Sequence, residues 1–231
     1  MNKNGIVILG VIVVVAVVAL LGVIILSNNA NAGPQIDFSQ IPQSRAEDGA
    51  FVLGNPDAPV TLVEFADFVC PHCVTYEKTA LQFIQDFVVT GQAKFEYRMF
   101  PTAGGDLSRF AGQIAECAEE QQSGGFWKAY ALLYDLAETG QYNQELGQRV
   151  ANALGLSYAE LLNCSTTAQQ VTTDVAFGRD QGVEGTPAVR VRYGDGPAQI
   201  ITVGGQSVTA GGASYEQLAQ FVQAANQQTS Q

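Results

Sequence analysis

The sequence has a single histidine, His72, and only four cysteines among its 231 residues. One histidine cannot supply a metal site built from several imidazoles, and any Ser-His or Cys-His catalysis would depend on that residue alone. Basic residues are also scarce, since 11 Lys and Arg stand against 22 Asp and Glu, which gives a net charge of −11. A chain this acidic has no general attraction to phosphate, so we do not expect it to bind nucleic acid. The cysteines are therefore the first candidates for chemistry.

Charge is absent from residues 6–26, which are rich in Val, Ile, Leu and Ala. At 1.5 Å per residue, about 20 apolar residues cross the hydrocarbon core of a bilayer, so the run predicts a single transmembrane signal anchor. Lys3 precedes the run and no basic residue occurs in 27–36, so the positive-inside rule places residues 1–5 in the cytoplasm and the remaining chain outside. The competing interpretation is a secretory signal cleaved after Ala32, which would release a secreted or periplasmic protein.

The exported part alternates between strand and helix patterns. Residues 27–48 are polar and contain prolines, which predicts a linker. Apolar or alternating runs predict strands at 51–53, 60–65, 94–100, 188–193 and 199–203. Helical spacing predicts helices at 73–89, 106–121, 126–138, 144–154, 157–162, 167–181 and 214–225.

This order places strands before and after a block of helices. It predicts an α/β fold in which one mixed sheet is interrupted by an inserted helical subdomain. We assign 49–104 and 182–226 to the sheet domain, 105–181 to the insertion and 227–231 to a flexible tail.

Cys70-Pro71-His72-Cys73 lies between the apolar strand 60–65 and the helix that follows it. A C-x-x-C at a strand-to-helix junction is a specific arrangement. The helix N-terminus directs free N–H groups and a positive dipole end at Cys70, which stabilises the reactive thiolate. Pro71 suits the first helical turn because it has no N–H to lose, and a cationic His72 would tune the thiolate further. Cys73 lies one turn inside the helix, where it can resolve a mixed disulfide.

The motif has two simpler interpretations. The pair could be half of a four-cysteine zinc site, but Cys117 and Cys164 stand far apart and do not form the second half. A purely structural disulfide is the other, although so small a ring is strained and labile. We therefore expect a redox-active pair, with neither metal nor cofactor.

Val63-Glu64-Phe65 leading into the C-x-x-C, with Gly185-Thr186-Pro187 far downstream, resembles the DsbA-like thiol-disulfide oxidoreductases. The likeness covers roughly 49–225 and is nearest to membrane-anchored bacterial members. It implies a thioredoxin fold, a mixed central sheet flanked by helices, with a helical insertion.

The resemblance also implies roles for single residues. Pro187 is expected to be cis and to lie against the cysteines, so that the Thr186 backbone can pair with a substrate chain. Glu64, a carboxyl inside an apolar strand, is expected to be the buried acid that moves a proton at Cys73.

Two further expectations concern packing. In an oxidising compartment Cys117 and Cys164 more often form a bridge than stay free, and some relatives carry a second disulfide here, so we expect a structural disulfide rather than a second redox relay. Phe68 and Val183, with Val69, are expected to form an apolar rim that receives unfolded substrate, unless they are simply buried.

The implied function is an oxidase that introduces disulfides into reduced or unfolded exported proteins. With a single predicted anchor, the chain is not expected to contain the bundle of membrane helices that reduces quinone. Reoxidation would therefore depend on a separate membrane oxidase of DsbB or VKOR type. The chain shows no obvious dimerisation domain and is expected to be a monomer. Two alternatives stay open: the same motif acting as a reductase or isomerase, and a non-catalytic membrane-tethered binding module or chaperone.

Overall fold

A computed structural model describes residues 36–203, 205–208 and 211–229. The predicted cytoplasmic segment 1–5, the predicted membrane anchor 6–26 and the first part of the predicted linker lie outside the described residues. No helix within the described ranges is long and apolar enough to cross a membrane.

Seven strands form one sheet in the described part of the chain. They are β1 Gln43–Arg45, β2 Phe51–Leu53, β3 Val60–Ala66, β4 Lys94–Met99, β5 Ala188–Tyr193, β6 Gln199–Val203 and β7 Gln206–Val208. Their order is β1-β2-β4-β3-β5-β6-β7. Only β3 and β4 run parallel among these neighbours, because a helix connects them; the other pairs are antiparallel. β3 is buried at every position, as its mainly apolar, β-branched pattern predicts for a central strand.

Seven α-helices accompany the described strands. They are α1 Pro71–Phe83, which continues as a π-helical segment Ile84–Val88, then α2 Asp106–Gln121, α3 Gly125–Glu138, α4 Leu146–Leu154, α5 Tyr158–Ser165, α6 Gln170–Asp180 and α7 Tyr215–Thr229. α2 to α5 pack on one another, while α1 contacts α7 and α6 contacts β4. The mixed sheet with an inserted helical block is therefore confirmed.

α6 packs against the end of β4, and a glycine permits the close approach. A Cβ at Gly178 would come within 2.7 Å of the Phe100 ring, so a larger residue would push the helix away. Phe177 stacks on Phe65 of β3 with ring centroids 5.9 Å apart. The buried Arg98 of β4 bonds Asp174 of α6 at 3.2 Å. These contacts fix the end of α6, and with it the start of the loop that leads to β5.

An aromatic cluster joins the insertion to the opposite face of the sheet. Tyr97 of β4 meets Tyr130 of α3 edge to face at 5.0 Å, and its hydroxyl is 3.0 Å from that of Tyr134. Phe126 is fully buried against the same strand. Burying a side chain of this size contributes about 2 kcal/mol, so the cluster holds the insertion against the sheet.

The structure differs from the predicted linker over 36–48. Phe38 packs on Trp127 and Tyr130, with ring centroids 5.9 and 5.8 Å away, Ile41 is buried, and Gln43–Arg45 form the edge strand β1. The three residues of β1 are all exposed, so they carry no apolar alternation that could have marked a strand. At the other end, α7 continues to Thr229, into the stretch predicted as a tail.

Candidate active site

Cys70 is the N-cap residue of α1 and Pro71 stands at the start of that helix. A turn after β3 delivers Cys70 there, since its N–H donates to the Asp67 carbonyl at 3.0 Å. The side chain therefore lies beside the positive end of the helix dipole. Cys70 and Cys73 are both free thiols in the structure.

The two thiols lie in different surroundings. Cys73 has no exposed surface, whereas Cys70 keeps 5%. The Asp67 N–H donates to the Cys73 sulfur at 3.5 Å. Burial raises the pKa of the Cys73 thiol, and a charged Glu64 would raise it further. An incoming thiolate therefore reaches Cys70 first.

Thr186 and Pro187, distant in sequence, complete the site. Their peptide bond is cis, and Pro187 is buried immediately before β5. The Cys70 thiol donates to the Thr186 carbonyl oxygen at 3.5 Å. Cys70 and Thr186 are 116 positions apart in the sequence. The antiparallel pairing of β3 with β5 brings them together.

Glu64 lies in the middle of β3, in register between Tyr97 of β4 and Val189 of β5. It has no exposed surface, and neither carboxyl oxygen has a hydrogen-bond partner among the described residues. Burial raises the pKa of this carboxyl to about 8. Glu64 is therefore mostly protonated at neutral pH.

A groove of about 430 Å³ borders Thr186, the residue whose carbonyl oxygen accepts the hydrogen bond of the Cys70 thiol. It is lined by His72, Thr75, Tyr76, Thr79, Thr186, Pro187 and Gly211. His72 is exposed at this groove. The groove therefore presents the side chains of three threonines, Thr75, Thr79 and Thr186.

The predicted apolar rim is not present at Phe68 and Val183. Phe68 is 2% exposed and packs between Tyr97 and Tyr134, with ring centroids 5.3 and 5.2 Å away. Val183 is 3% exposed in a second core cluster with Val63. Both side chains are held in the core because aromatic and aliphatic partners surround them, so neither can receive substrate. Val69 alone of the three is partly exposed.

Asp67 and Thr102 belong to the site, although neither is part of a recognisable sequence motif. Asp67 follows β3 directly and is 3% exposed. Its carboxylate accepts hydrogen bonds from the Thr102 and Ala103 N–H groups, each at 2.8 Å. The Thr102 hydroxyl lies 2.5 Å from the Thr186 hydroxyl. The one signal in the sequence was a carboxylate three residues before Cys70, at the end of an apolar strand.

Cys117 of α2 and Cys164 of α5 form a disulfide. Cys117 is fully buried inside the insertion. No group of three or more His, Cys, Asp or Glu side chains within the described ranges could hold a metal ion.

Comparisons with known proteins agree with this geometry. A protein-family model described as thioredoxin matches residues 46–193. Disulfide bond formation protein D of Bacillus subtilis is 29% identical over 153 residues, which cover 62% of this chain and 68% of that protein. The probable disulfide bond formation protein D of Bacillus cereus is 30% identical over 138 residues, 58% of this chain and 60% of that protein.

The chain thus spans about 60% of the length of that Bacillus cereus relative. Among solved structures, oxidised BdbD from Bacillus subtilis superposes with a TM-score of 0.60 and 22% identity, covering 84% of this chain and 97% of that one. At this identity the superposition supports the thioredoxin-like fold with its helical insertion.

Proposed function

Because this chain belongs to the thioredoxin family, as one of its DsbA-like members, we propose that it is a thiol-disulfide oxidoreductase that introduces disulfides into exported proteins. The observation that carries the proposal is the arrangement at Cys70. A thiol at the N-terminus of α1 lies 3.5 Å from the Thr186 carbonyl, and Thr186 lines a groove of about 430 Å³. The relatives named for disulfide bond formation support the same direction of exchange.

The proposed reaction starts from an oxidised Cys70–Cys73 pair. A substrate thiolate attacks the sulfur of Cys70, the bond to Cys73 breaks, and a mixed disulfide forms. A second substrate thiolate then attacks the substrate sulfur of that bond, and Cys70 leaves as a thiolate. Two substrate thiols become one disulfide, Cys70 and Cys73 take up two electrons, and of the two substrate protons one replaces that supplied to Cys73 and the other passes to solvent.

Glu64 is proposed to handle the proton at Cys73. Cys73 leaves the first step as a thiolate in a buried place, where burial favours the neutral thiol. With a pKa of about 8, the Glu64 carboxyl is protonated near neutral pH and can supply that proton. His72, at the exposed end of the motif, is proposed to stabilise the Cys70 thiolate when cationic.

The surroundings of the reaction are also proposed. The catalytic domain acts outside the cytoplasm, either tethered by the segment 6–26 or released after Ala32, as a monomer. Reduced or unfolded exported proteins are its substrates. A membrane oxidase of DsbB or VKOR type restores the disulfide between Cys70 and Cys73.

The decisive test is the reduction potential of the Cys70–Cys73 pair, measured by equilibration with glutathione. We expect a value well above about −200 mV, because an oxidase must be a stronger oxidant than its substrates. Oxidised protein is also expected to speed the refolding of a reduced multi-cysteine protein. A potential near about −270 mV, that of thioredoxin, would assign the chain to the reductases instead.

The bridge between Cys117 and Cys164 is proposed to be structural. It closes a loop with a sequence separation of 47, which restricts the unfolded chain. Replacing both cysteines by alanine is expected to lower the free energy of unfolding by about 2–4 kcal/mol, measured by urea denaturation. The refolding activity at saturating substrate is expected to stay unchanged. A second redox relay would instead require that activity falls while stability is kept.

A further inference from the structure

A chain of hydrogen bonds from Asp67 through Thr102 to Thr186 lies outside the C-x-x-C motif but ends beside Cys70. We propose that Asp67 and Thr102 are positioning residues, which hold the Thr186–Pro187 segment in the place where a substrate chain docks. The inference rests on the proposed function, because it concerns the binding step of the same exchange.

Asp67 is the fixed end of this chain of contacts. Its carboxylate is buried, and it accepts hydrogen bonds from the Val69 N–H at 3.1 Å and the Ser108 hydroxyl at 2.9 Å. The Thr102 and Ala103 N–H groups donate to it at 2.8 Å each. Hydrogen bonds to an ionised carboxylate are stronger than neutral ones. Asp67 therefore ties the turn before Cys70 to the loop between β4 and α2.

Thr102 links Asp67 to Thr186 on the other side of the site. Its N–H donates to the Asp67 carboxylate, which fixes the position of the Thr102 backbone and therefore of the atom from which its side chain extends. Its hydroxyl lies 2.5 Å from the Thr186 hydroxyl, across 84 positions of sequence. The carbonyl of Thr186 faces the Cys70 sulfur at 3.5 Å, so one side of this residue is held by Thr102 and the other faces the reacting atom.

This arrangement predicts an effect on binding rather than on the exchange chemistry. Thr102 is exposed and its hydrogen bonds in the described part of the chain go to Asp67 and Thr186 rather than to either sulfur, whereas Thr186 lines the groove. If Thr186 lost its anchor, the segment would have to be ordered each time a substrate binds, and that cost would appear in the affinity. A change confined to binding raises KM and leaves kcat unchanged.

The test compares Thr102→Val with Thr102→Ser in the full chain in detergent. The substrate is a reduced two-cysteine peptide, and glutathione disulfide serves as the terminal oxidant. We expect Thr102→Val to raise KM about threefold to tenfold, the effect of losing one hydrogen bond, with kcat unchanged. Thr102→Ser is expected to restore the wild-type KM. Thr139→Val, which removes an exposed threonine hydroxyl from the end of α3, serves as the matched control.

A double-mutant cycle isolates the hydroxyl pair. If Thr102 acts through Thr186, Thr102→Val combined with Thr186→Val is expected to raise KM no further than the Thr186→Val single variant. Asp67→Asn is expected to raise KM as well, with its folding checked by thermal unfolding. An unchanged KM in Thr102→Val, or effects that add, would overturn the positioning role. Lack of activity in the wild-type chain would instead refute the proposed function.

Discussion

Replacing Cys70 by alanine is expected to reduce the oxidation of a reduced two-cysteine peptide to the rate measured with buffer alone. Cys70 is the thiol at the N-terminus of α1 and beside the groove, and Cys73 has no exposed surface. Without Cys70 the protein cannot form its own disulfide, and a substrate thiolate has no accessible sulfur to attack. The measurement is the loss of free thiol over time, with glutathione disulfide as oxidant.

The partner variant Cys73→Ala is expected to fail differently. Its Cys70 thiolate can attack the disulfide-linked dimer of a one-cysteine peptide and release one peptide as a free thiol, but no second protein thiol is left to resolve the bond. A stable one-to-one adduct should therefore accumulate, which intact-mass spectrometry detects and a reductant removes. The assignment of the two roles is contradicted if Cys70→Ala forms such an adduct through Cys73, or if it oxidises the peptide at the wild-type rate.

The central elements were predictable because their local patterns agree with their tertiary roles. β3 is a β-branched apolar run that is buried at each position, and the predicted strand 60–65 differs from Val60–Ala66 by one residue. The helix after Cys70 was predicted to begin at 73, whereas it begins at Pro71, since proline is tolerated at the first turn. The helices of the insertion followed from their spacing in the same way.

The edge of the sheet was not predictable from local patterns. Residues 43–45 have exposed polar side chains, and they form a strand only because β2 offers backbone partners. β7 likewise has three residues, and among the described strands it pairs only with β6. Short edge strands depend on tertiary context rather than on their own sequence.

The candidate site was predictable where its residues form a motif. Cys70 and Cys73 follow from spacing, and Thr186 and Pro187 followed only from the resemblance. Asp67 was not selected, because its partners at Thr102 and Ala103 are 35 and 36 positions away and no local pattern links them. Phe68 was assigned to a substrate rim because an apolar residue beside a motif does not reveal which way it faces.

Glu64 lowers the stability of the fold, although the proposed proton transfer requires it. A carboxyl with no exposed surface and no hydrogen-bond partner among the described residues destabilises the fold whenever it must ionise. Burial raises its pKa to about 8 from an ordinary 4.5. The folded protein therefore keeps this proton between these two values, whereas the unfolded chain releases it.

The sign of the resulting pH dependence is fixed. Because the unfolded state binds fewer protons in this window, Glu64 lowers stability progressively as pH rises from about 4.5, and its cost becomes constant above about 8. A shift of this size corresponds to about 4–5 kcal/mol in the free energy of unfolding. Glu64→Leu is therefore expected to stabilise the protein, weakly at pH 4.5 and by up to about 4 kcal/mol at pH 8.

Urea denaturation of the reduced protein at pH 4.5, 6 and 8 measures this difference. For Glu64→Gln, the free energy of unfolding relative to wild type is expected to rise with pH in the same way. Its value at each pH is expected to be lower than that of Glu64→Leu, since the buried amide lacks hydrogen-bond partners. The exposed Glu47→Gln serves as control and is expected to show no such trend.

The stabilised Glu64→Leu variant is expected to oxidise the peptide at least about tenfold more slowly at pH 7, because the proton donor at Cys73 is gone. A stability gain that does not change with pH would mean that Glu64 is ionised in the folded protein, and the proposed proton transfer would then lack its donor.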